Sequence, residues 1–235
     1  MTSNFMESIV KLIPFFFGVF LYFYFPPKQL PFLQRACIKC FPILALIGFL
    51  YLREAKHSDE YKCRKLILIG LSLSCIGDAF LIKANLFIPG MIAFALAHFM
   101  YILALGFHLV ELKYGFLLYG FYTIMLYILM PGLTGPFIYA VPIYGFVLAT
   151  MTWCSLTAMN RCKVDSWWIS RITGIGGVLW MTSDAVLAYN KFINEVPYQD
   201  VLIMVSYYLG QLGITLSSLI CWKKYDVFVD SKKAK

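Results

Sequence analysis

Two aspartates lie inside strongly apolar stretches of this sequence. Asp78 lies in SCIGDAFLI (74–82) and Asp184 in MTSDAVLAY (181–189), each followed by Ala, one variable residue and Leu. A charged side chain in the middle of a membrane costs about 2.5 to 3.5 kcal/mol on insertion scales, so it faces a partner or a cavity. The two aspartates therefore indicate a functional site. The alternative is that each only forms a hydrogen bond between helices.

Two carboxylates in one apolar pocket would be suited to acid–base chemistry. Ionising the first makes the second harder to ionise, so the pair tends to share one proton near neutral pH. One member can then act as a general acid while the other acts as a base or stabilises a developing cation, as in aspartic proteases and glycosidases. This chemistry requires neither a metal nor another cofactor, and we expect none.

The composition indicates the setting of these residues. The chain has 235 residues, of which 61% are hydrophobic, 18% aromatic and only 14% charged, with a mean hydropathy of +0.75. Soluble globular domains are far less apolar, and a helix that crosses the hydrocarbon needs about 20 predominantly apolar residues. We predict an all-α, polytopic membrane protein forming a single transmembrane domain over residues 1–235.

Eight apolar runs are predicted to be transmembrane helices, joined by short polar or Pro/Gly-rich links. The second is short, and the sixth has Pro142 near its start. No small-x-small cleavage site follows the first run, so we interpret it as a retained span rather than a signal peptide. The predicted spans are 9–25, 37–53, 65–82, 90–110, 114–130, 137–158, 167–189 and 199–222.

Basic residues predict the orientation of these spans. If both termini lie on one side of the membrane, that side carries 15 of the 20 Lys and Arg residues. Cytosolic loops are enriched in Lys and Arg, so both termini are predicted to be cytosolic. The net charge of +8 then needs no nucleic acid partner to explain it. The C-terminal DSKKAK is compatible with endoplasmic reticulum residence, and equally with a solvated basic tail.

A faint internal repeat relates the two aspartate stretches. Asp78 is followed after 23 residues by Tyr101, and Asp184 after 23 residues by Tyr207. The two aspartates fall in the third and seventh predicted spans, which run in the same direction. This pattern suggests two parallel four-helix halves.

Helical rise places several polar residues at similar depths. At about 1.5 Å per residue from cytosolic starts at 65 and 168, Asp78 lies roughly 20 Å and Asp184 roughly 24 Å into the membrane. The same count from the opposite side puts His98 and Tyr207 near this level. We therefore predict that these four residues occupy one layer, although a lone His in a span is more commonly an interior residue than a catalyst.

Metal, redox and nucleotide sites are not indicated. The sequence has no G-x-S-x-G, H-E-x-x-H or P-loop motif, and its three histidines, His57, His98 and His108, are scattered. Cys37 and Cys40 form a lone C-x-x-C without a second pair, so the cysteines are predicted to be free thiols. The glycines of GIGG (174–177) are predicted to allow close helix packing.

Five segments together resemble the lysoplasmalogenase family, also called YhhN-like, in its animal branch, and the match runs over nearly the whole chain with its spacing kept. The segments are CIKCFPI (37–43), SCIGDAFLI (74–82), FIPGMIAFALAHFMYILALGF (87–107), SDAVLAYNKF (183–192) and VSYYLGQL (205–212). The resemblance implies an eight-helix membrane hydrolase that cleaves the vinyl ether bond of lysoplasmalogens. The products would be a fatty aldehyde and glycerophosphoethanolamine or glycerophosphocholine.

The resemblance also implies site residues. The catalytic positions fall on Asp78 and Asp184. The implied substrate-binding or supporting residues are Lys39, His98, Tyr101, Asn190, Lys191, Tyr207, Tyr208 and Gln211. Lys39, near the predicted start of its helix, and Lys191, just past the end of another, could meet a phosphate headgroup or be ordinary interfacial lysines.

Vinyl ether hydrolysis fits a pair of aspartates. It begins with slow proton transfer to the β-carbon, and it therefore needs an acid that is protonated at neutral pH and an anion beside the developing cation. Which aspartate plays which role stays open. The expected partners are a lysophospholipid substrate and membrane lipids, with the oligomeric state undetermined.

Two other functions fit part of the pattern. A proton-coupled transporter could use intramembrane aspartates, although Gly77 before Asp78 is matched by Ser183 rather than a glycine before Asp184. A non-catalytic scaffold could use the aspartates only to bond helices together.

Overall fold

The computed structural model describes residues 10–25, 30–53, 58–107, 111–161 and 167–219, and all regular elements in these ranges are helical. We number the α-helices in chain order. They are α1 Ile13–Tyr24, α2 Phe32–Tyr51, α3 Ser58–Leu81, α4 Phe87–Leu105, α5 Leu112–Leu129, α6 Phe137–Arg161, α7 Trp167–Phe192 and α8 Gln199–Leu216. Three short 3₁₀ turns lie at Ala84–Leu86, Met130–Gly132 and Ser217–Leu219.

The predicted all-α, polytopic membrane architecture is confirmed. Within the described ranges, five helical segments are long and apolar enough to cross a membrane: Phe32–Tyr51, Ala84–Leu105, Leu112–Gly132, Phe137–Met159 and Gln199–Leu219. Many large apolar side chains are exposed on the helix surfaces, as expected where lipid replaces water. The count of eight spans stays a prediction, as does a single transmembrane domain.

The helix boundaries differ from the predicted spans where charges interrupt the apolar pattern. Helix α3 begins at Ser58, so its first two turns include charged residues that the sequence places in a link. Asp59 and Glu60 lie in its first turn, where acidic side chains interact favourably with the helix dipole. Helix α1 has only 12 residues, and Pro142 lies inside a continuous α6.

The chain divides into two compact units. The first comprises residues 1–54 and 68–97, and the second comprises residues 55–67 and 98–235. These boundaries fall inside α3 and α4 and do not follow the two predicted four-helix halves. The internal repeat therefore stays a prediction.

In the first unit, small residues allow helices to approach closely. A Cβ atom on Gly18 of α1 would lie within 3.2 Å of Pro42 in α2, and one on Gly77 of α3 would lie 2.8 Å from the Phe94 ring of α4. Gly77 is the residue before Asp78. Close packing at Gly77 therefore fixes the part of α3 that carries this aspartate.

In the second unit, α7 lies between α6 and α8. The Thr152 hydroxyl of α6 donates to the Gly177 carbonyl of α7 at 3.2 Å, and the Ser183 hydroxyl of α7 donates to the Ile203 carbonyl of α8 at 2.9 Å. A Cβ on Gly176 would lie 2.9 Å from the Cα of Gly213. The predicted packing role of the GIGG glycines is confirmed.

Candidate functional site

Asp184 forms a polar cluster with residues from two other helices of the second unit. The Tyr144 hydroxyl of α6 donates a hydrogen bond to Asp184 Oδ2. The Nε2 atom of His98, from α4, lies 3.1 Å from the same hydroxyl and 4.0 Å from Asp184 Oδ2. Of the four residues predicted to occupy one layer, the structure thus brings His98 and Asp184 together, and the layer as a whole stays a prediction.

The members of this cluster differ in exposure. The His98 side chain is fully buried, whereas the Asp184 side chain is 14% exposed. Tyr144 is of intermediate exposure. Asp184 therefore offers the accessible carboxylate of the cluster, and His98 forms its enclosed end.

An aromatic contact connects this cluster to α8. The Trp180 ring packs against His98 at 4.6 Å and against Tyr207 at 4.9 Å between ring centroids, both in T-shaped geometry. Trp180 precedes Asp184 by four residues, so both lie on the same face of α7. Trp180 thus restricts the position of the imidazole beside the carboxylate.

The Nδ1 atom of His98 is buried and has no hydrogen-bond partner among the described residues. Buried polar atoms are normally satisfied, and each exception in a native fold calls for a functional or structural reason. If His98 is only an interior residue, the Tyr144 hydroxyl explains how its Nε2 atom is satisfied, but the buried position of Nδ1 is left without an explanation.

The two tyrosines of the predicted repeat meet at one glutamine. The Tyr101 hydroxyl donates to Gln211 Oε1 at 3.0 Å, and Gln211 Nε2 donates to the Tyr207 hydroxyl at 3.2 Å. All three side chains are buried, and Tyr208 packs beside Tyr207 with ring centroids 5.3 Å apart. This cluster is a fully enclosed polar network, which favours a supporting role.

Asp78 lies in the first unit and is paired with Lys39. The Lys39 Nζ atom is 3.1 Å from Asp78 Oδ1, and the two side chains are 17% and 2% exposed. Because α2 begins at Phe32, Lys39 lies about two turns inside the helix rather than near its start. The expectation of a helix-start lysine is thus wrong, and its ammonium neutralises Asp78.

Asn190 and Lys191 lie at the end of α7. The Asn190 Oδ1 atom accepts a hydrogen bond from the backbone N–H of Val196 at 3.0 Å, which stabilises the link to α8. Lys191 is exposed, with its Nζ atom 5.7 Å from the Phe137 ring centroid. Asn190 thus has a structural contact, whereas Lys191 presents its ammonium at the surface.

Sequence reasoning missed Tyr144 and Trp180. Tyr144 lies seven residues after the start of α6, roughly 10 Å along the helix, and the depth count that found His98 would have placed it at a similar level. Trp180 carries the weaker signal of its spacing from Asp184. Tyrosine and tryptophan are both common in membrane helices. The depth of Tyr144 and the spacing of Trp180 from Asp184 are therefore the signals that the sequence offers for them.

The described residues contain no group of three or more His, Cys, Asp or Glu side chains that could hold a metal ion. The cysteines in these ranges are free thiols, which confirms the prediction for them. His57 and His108 lie outside the described residues.

Comparisons with known proteins show the family to which the chain belongs. The YhhN family matches residues 34–218, a range that includes both aspartates. The bovine (Bos taurus) lysoplasmalogenase TMEM86A is 34% identical over 212 residues, covering 89% of this chain and 88% of the relative. The human (Homo sapiens) lysoplasmalogenase TMEM86B is 36% identical over 219 residues, covering 88% and 86%. No solved structure matches. The chain belongs to the YhhN family.

Proposed function

We propose that this protein is a lysoplasmalogenase, a membrane hydrolase that cleaves the vinyl ether bond of lysoplasmalogens. The observation that carries the proposal is the near full-length similarity to curated lysoplasmalogenases, at 32–36% identity for the bovine and human proteins. The products are a fatty aldehyde and glycerophosphoethanolamine or glycerophosphocholine.

The reaction requires a proton donor and an anion. Proton transfer to the β-carbon of the vinyl ether produces an oxocarbenium ion. Water then adds to this cation to form a hemiacetal, which breaks down to aldehyde and alcohol. A positioned acid and a fixed negative charge accelerate such a step.

The surroundings of the two aspartates support different roles. The Lys39 ammonium at 3.1 Å stabilises Asp78 as a carboxylate, and an ionised carboxylate supplies negative charge rather than a proton. Asp184 is partly exposed and hydrogen-bonded to a tyrosine hydroxyl. We assign Asp184 as the proton donor and Asp78 as the stabilising anion.

Of Lys39 and Lys191, we assign the exposed Lys191 to the phosphate headgroup, because the Lys39 ammonium is engaged by Asp78. The bias of basic residues supports cytosolic termini. Residence in the endoplasmic reticulum is part of the proposal, although the C-terminal DSKKAK lies outside the described residues.

The proposal is tested with purified full-length protein in detergent, with a lysoplasmalogen, a chelator and no membrane gradient, by measuring free aldehyde. We expect aldehyde from the wild type and its loss in Asp78→Asn and Asp184→Asn. Asp200→Asn is the matched control, because Asp200 is an exposed aspartate in the first turn of α8. Activity in detergent would also rule out a transport-only role.

Each contrary result has a defined meaning. Absence of aldehyde from folded wild-type protein with either headgroup would reject the function. Full activity in both Asn variants would reject the assigned residues and favour a scaffold role for the aspartates. Loss of activity on adding the chelator would reject a metal-free reaction.

A further inference from the structure

Three basic residues of the first unit gather where the start of α2 lies beside the end of α3. Arg35 and Lys39 are four residues apart in α2, and Lys83 follows the last residue of α3. The Lys83 Nζ atom lies 4.4 Å from the ring centroid of Phe32. The Lys39 Nζ atom lies 3.1 Å from Asp78 Oδ1. The two contacts hold the basic residues of both helices at the same end of this helix pair.

Two of these three cations have no anionic partner among the described residues. Lys39 is paired with Asp78, whereas neither Arg35 nor Lys83 forms an ion pair with a described carboxylate. Lys83 is exposed, and Arg35 is half-buried. Arg35 and Lys83 are therefore positive charges that an anionic ligand can neutralise.

The Arg35 side chain is held in place by the protein. Its Nε atom is enclosed and has no hydrogen-bond partner among the described residues, although the residue as a whole is only half-buried. The stem of the side chain is thus packed, while the outer part of the guanidinium remains accessible. A cation fixed in this way loses less conformational freedom on binding an anion than a mobile surface lysine does.

The side of the membrane makes this cluster unusual. In the predicted orientation only five of the 20 Lys and Arg residues lie on the non-cytosolic side, and Arg35, Lys39 and Lys83 are three of the five. Lys and Arg are normally scarce on that side. Three of them at one end of one helix pair therefore call for an anionic contact, of which Asp78 supplies one.

The spacing of the cluster from Asp78 matches the length of a lysoplasmalogen backbone. Arg35 precedes Lys39 by four residues, which is roughly 6 Å along the helix, and Lys39 contacts Asp78. In a lysoplasmalogen, five covalent bonds separate the phosphorus atom from the vinyl ether oxygen, a span of similar length. A phosphate bound at Arg35 would therefore place the vinyl ether near Asp78.

We propose that Arg35 and Lys83 bind the phosphate of the lysophospholipid substrate, an inference that rests on the proposed function. The guanidinium of Arg35 donates hydrogen bonds to the phosphate oxygens, and the ammonium of Lys83 adds a second positive charge. These two cations add to Lys191, which falls on the same predicted side of the membrane. The phosphodiester is common to the ethanolamine and choline substrates, so Arg35 and Lys83 serve both headgroups equally.

The test measures binding separately from hydrolysis. The ligand is a 1-O-alkyl-glycerophosphocholine, whose saturated ether cannot undergo vinyl ether hydrolysis, and the reference ligand is the matching 1-O-alkylglycerol, which has no phosphate. The Kd of each ligand is measured by thermophoresis with purified full-length protein at a fixed detergent concentration. In parallel, kcat/KM is measured with a lysoplasmalogen of each headgroup.

The variants separate charge from shape. Arg35→Gln and Lys83→Gln each remove a positive charge, whereas Arg35→Lys keeps the charge and loses the planar set of N–H donors. The matched control is Arg171→Gln, because Arg171 is an exposed arginine of α7 outside the cluster. Thermal unfolding in detergent establishes that each variant is folded before its binding is compared.

We expect Arg35→Gln to weaken binding of the phosphate ligand about 10-fold, as loss of a hydrogen bond between charged groups typically does. Lys83→Gln should weaken it about 3-fold, because solvent screens an exposed charge. Arg35→Lys should lie between Arg35→Gln and the wild type. Binding of the alkylglycerol should be unchanged in all variants, and kcat/KM should fall by the same factors with either headgroup. Arg171→Gln should match the wild type.

Other outcomes overturn the inference. Unchanged affinity for the phosphate ligand in folded Arg35→Gln would reject the site, and an equal loss for both ligands would show that Arg35 only shapes the protein. If Arg35→Gln does not fold, unchanged affinity in Lys83→Gln rejects the site, since Lys83 is exposed. Weaker binding with unchanged kcat/KM would assign the cations to a phospholipid of the bilayer rather than to the substrate.

Failure of this site and failure of the proposed function give different results. Absence of aldehyde from the wild type rejects the proposed function, and the two non-hydrolysable ligands still report whether a phosphate is bound. An active wild type whose affinity for the phosphate ligand does not depend on Arg35 or Lys83 rejects only the phosphate site.

Discussion

At the residue scale, the Lys39–Asp78 ion pair lies in apolar surroundings, where a charge without a partner is unfavourable. The Asp78 side chain is 2% exposed, so its carboxylate depends on the neighbouring ammonium for stabilisation. The packing of α2 places the Lys39 ammonium beside Asp78, and no simple sequence motif predicts this contact. The sequence predicted a functional role for both residues without predicting that they pair.

The first prediction concerns this pair. Lys39→Met should lower the free energy of unfolding by about 3 kcal/mol, because breaking a buried pair leaves an uncompensated charge. Adding Asp78→Asn in the same chain should recover much of that loss, since the remaining amide is neutral. Thermal unfolding of the two single variants and the double variant in detergent measures the coupling.

Lys39→Arg is the conservative control, since it retains a cation near Asp78. An equal loss of stability in Lys39→Met and in the double variant would contradict the importance of the pair. Aldehyde release by folded Lys39→Met is a second readout, expected to be reduced because Asp78 no longer has its ammonium.

The candidate site was only partly predictable from residue types. The aspartates attract notice because a carboxylate in an apolar run is costly, and His98 because its depth could be counted. The same count would have placed Tyr144 at a similar depth, but tyrosine is common in membrane helices, and depth alone does not predict that its hydroxyl contacts both His98 and Asp184. The partner of a polar residue depends on side-chain packing, which a pattern along one chain does not encode.

At the element scale, apolar runs predicted where helices lie more reliably than where they end. Helices α4, α5 and α6 begin within about three residues of the predicted spans, whereas α3 begins seven residues earlier than predicted. Hydropathy measures the part of a helix suited to lipid, but a helix continues into the polar region while its backbone hydrogen bonds and end charges favour it.

The second prediction concerns the contact between α7 and α8. Gly213→Ala should lower the free energy of unfolding by about 1–3 kcal/mol, as overpacking typically does. The added Cβ would lie 2.7 Å from the Ile172 carbonyl oxygen and 2.8 Å from the Gly176 Cα, and these backbone atoms cannot rotate away. Thermal unfolding in detergent measures the change.

Gly120→Ala in α5 is the matched control, because a Cβ there meets no atom within 4 Å. Its stability should be unchanged or raised, since alanine favours the helix over glycine. If both variants lost stability equally, the close approach of α7 and α8 would not explain the loss.

At the scale of the whole molecule, charge distribution predicts orientation. In the predicted orientation, 15 of the 20 Lys and Arg residues lie on one side of the membrane. This asymmetry does not depend on how the helices pack inside the protein. Fold class followed directly from composition, because lipid permits few architectures. The faint repeat did not predict how the chain divides into compact units, because a few matched residues do not specify which helices pack together.

The third prediction follows from this charge distribution. Reporter tags on the N- and C-termini should both be accessible to a protease or antibody in cells whose plasma membrane alone is permeabilised. A tag placed in the link after α7 should be protected until the internal membranes are also opened. Accessibility of only one terminus under the first condition would contradict an even number of spans.

The packing of Trp180 makes the region near Asp184 visible by spectroscopy. Its indole is almost fully buried between His98 and Tyr207. Indole fluorescence shifts to longer wavelength as its surroundings become more polar. Water or a headgroup that arrives beside this ring would therefore shift its emission maximum. With the other four tryptophans replaced by phenylalanine, the protein would carry its own optical reporter of substrate arrival.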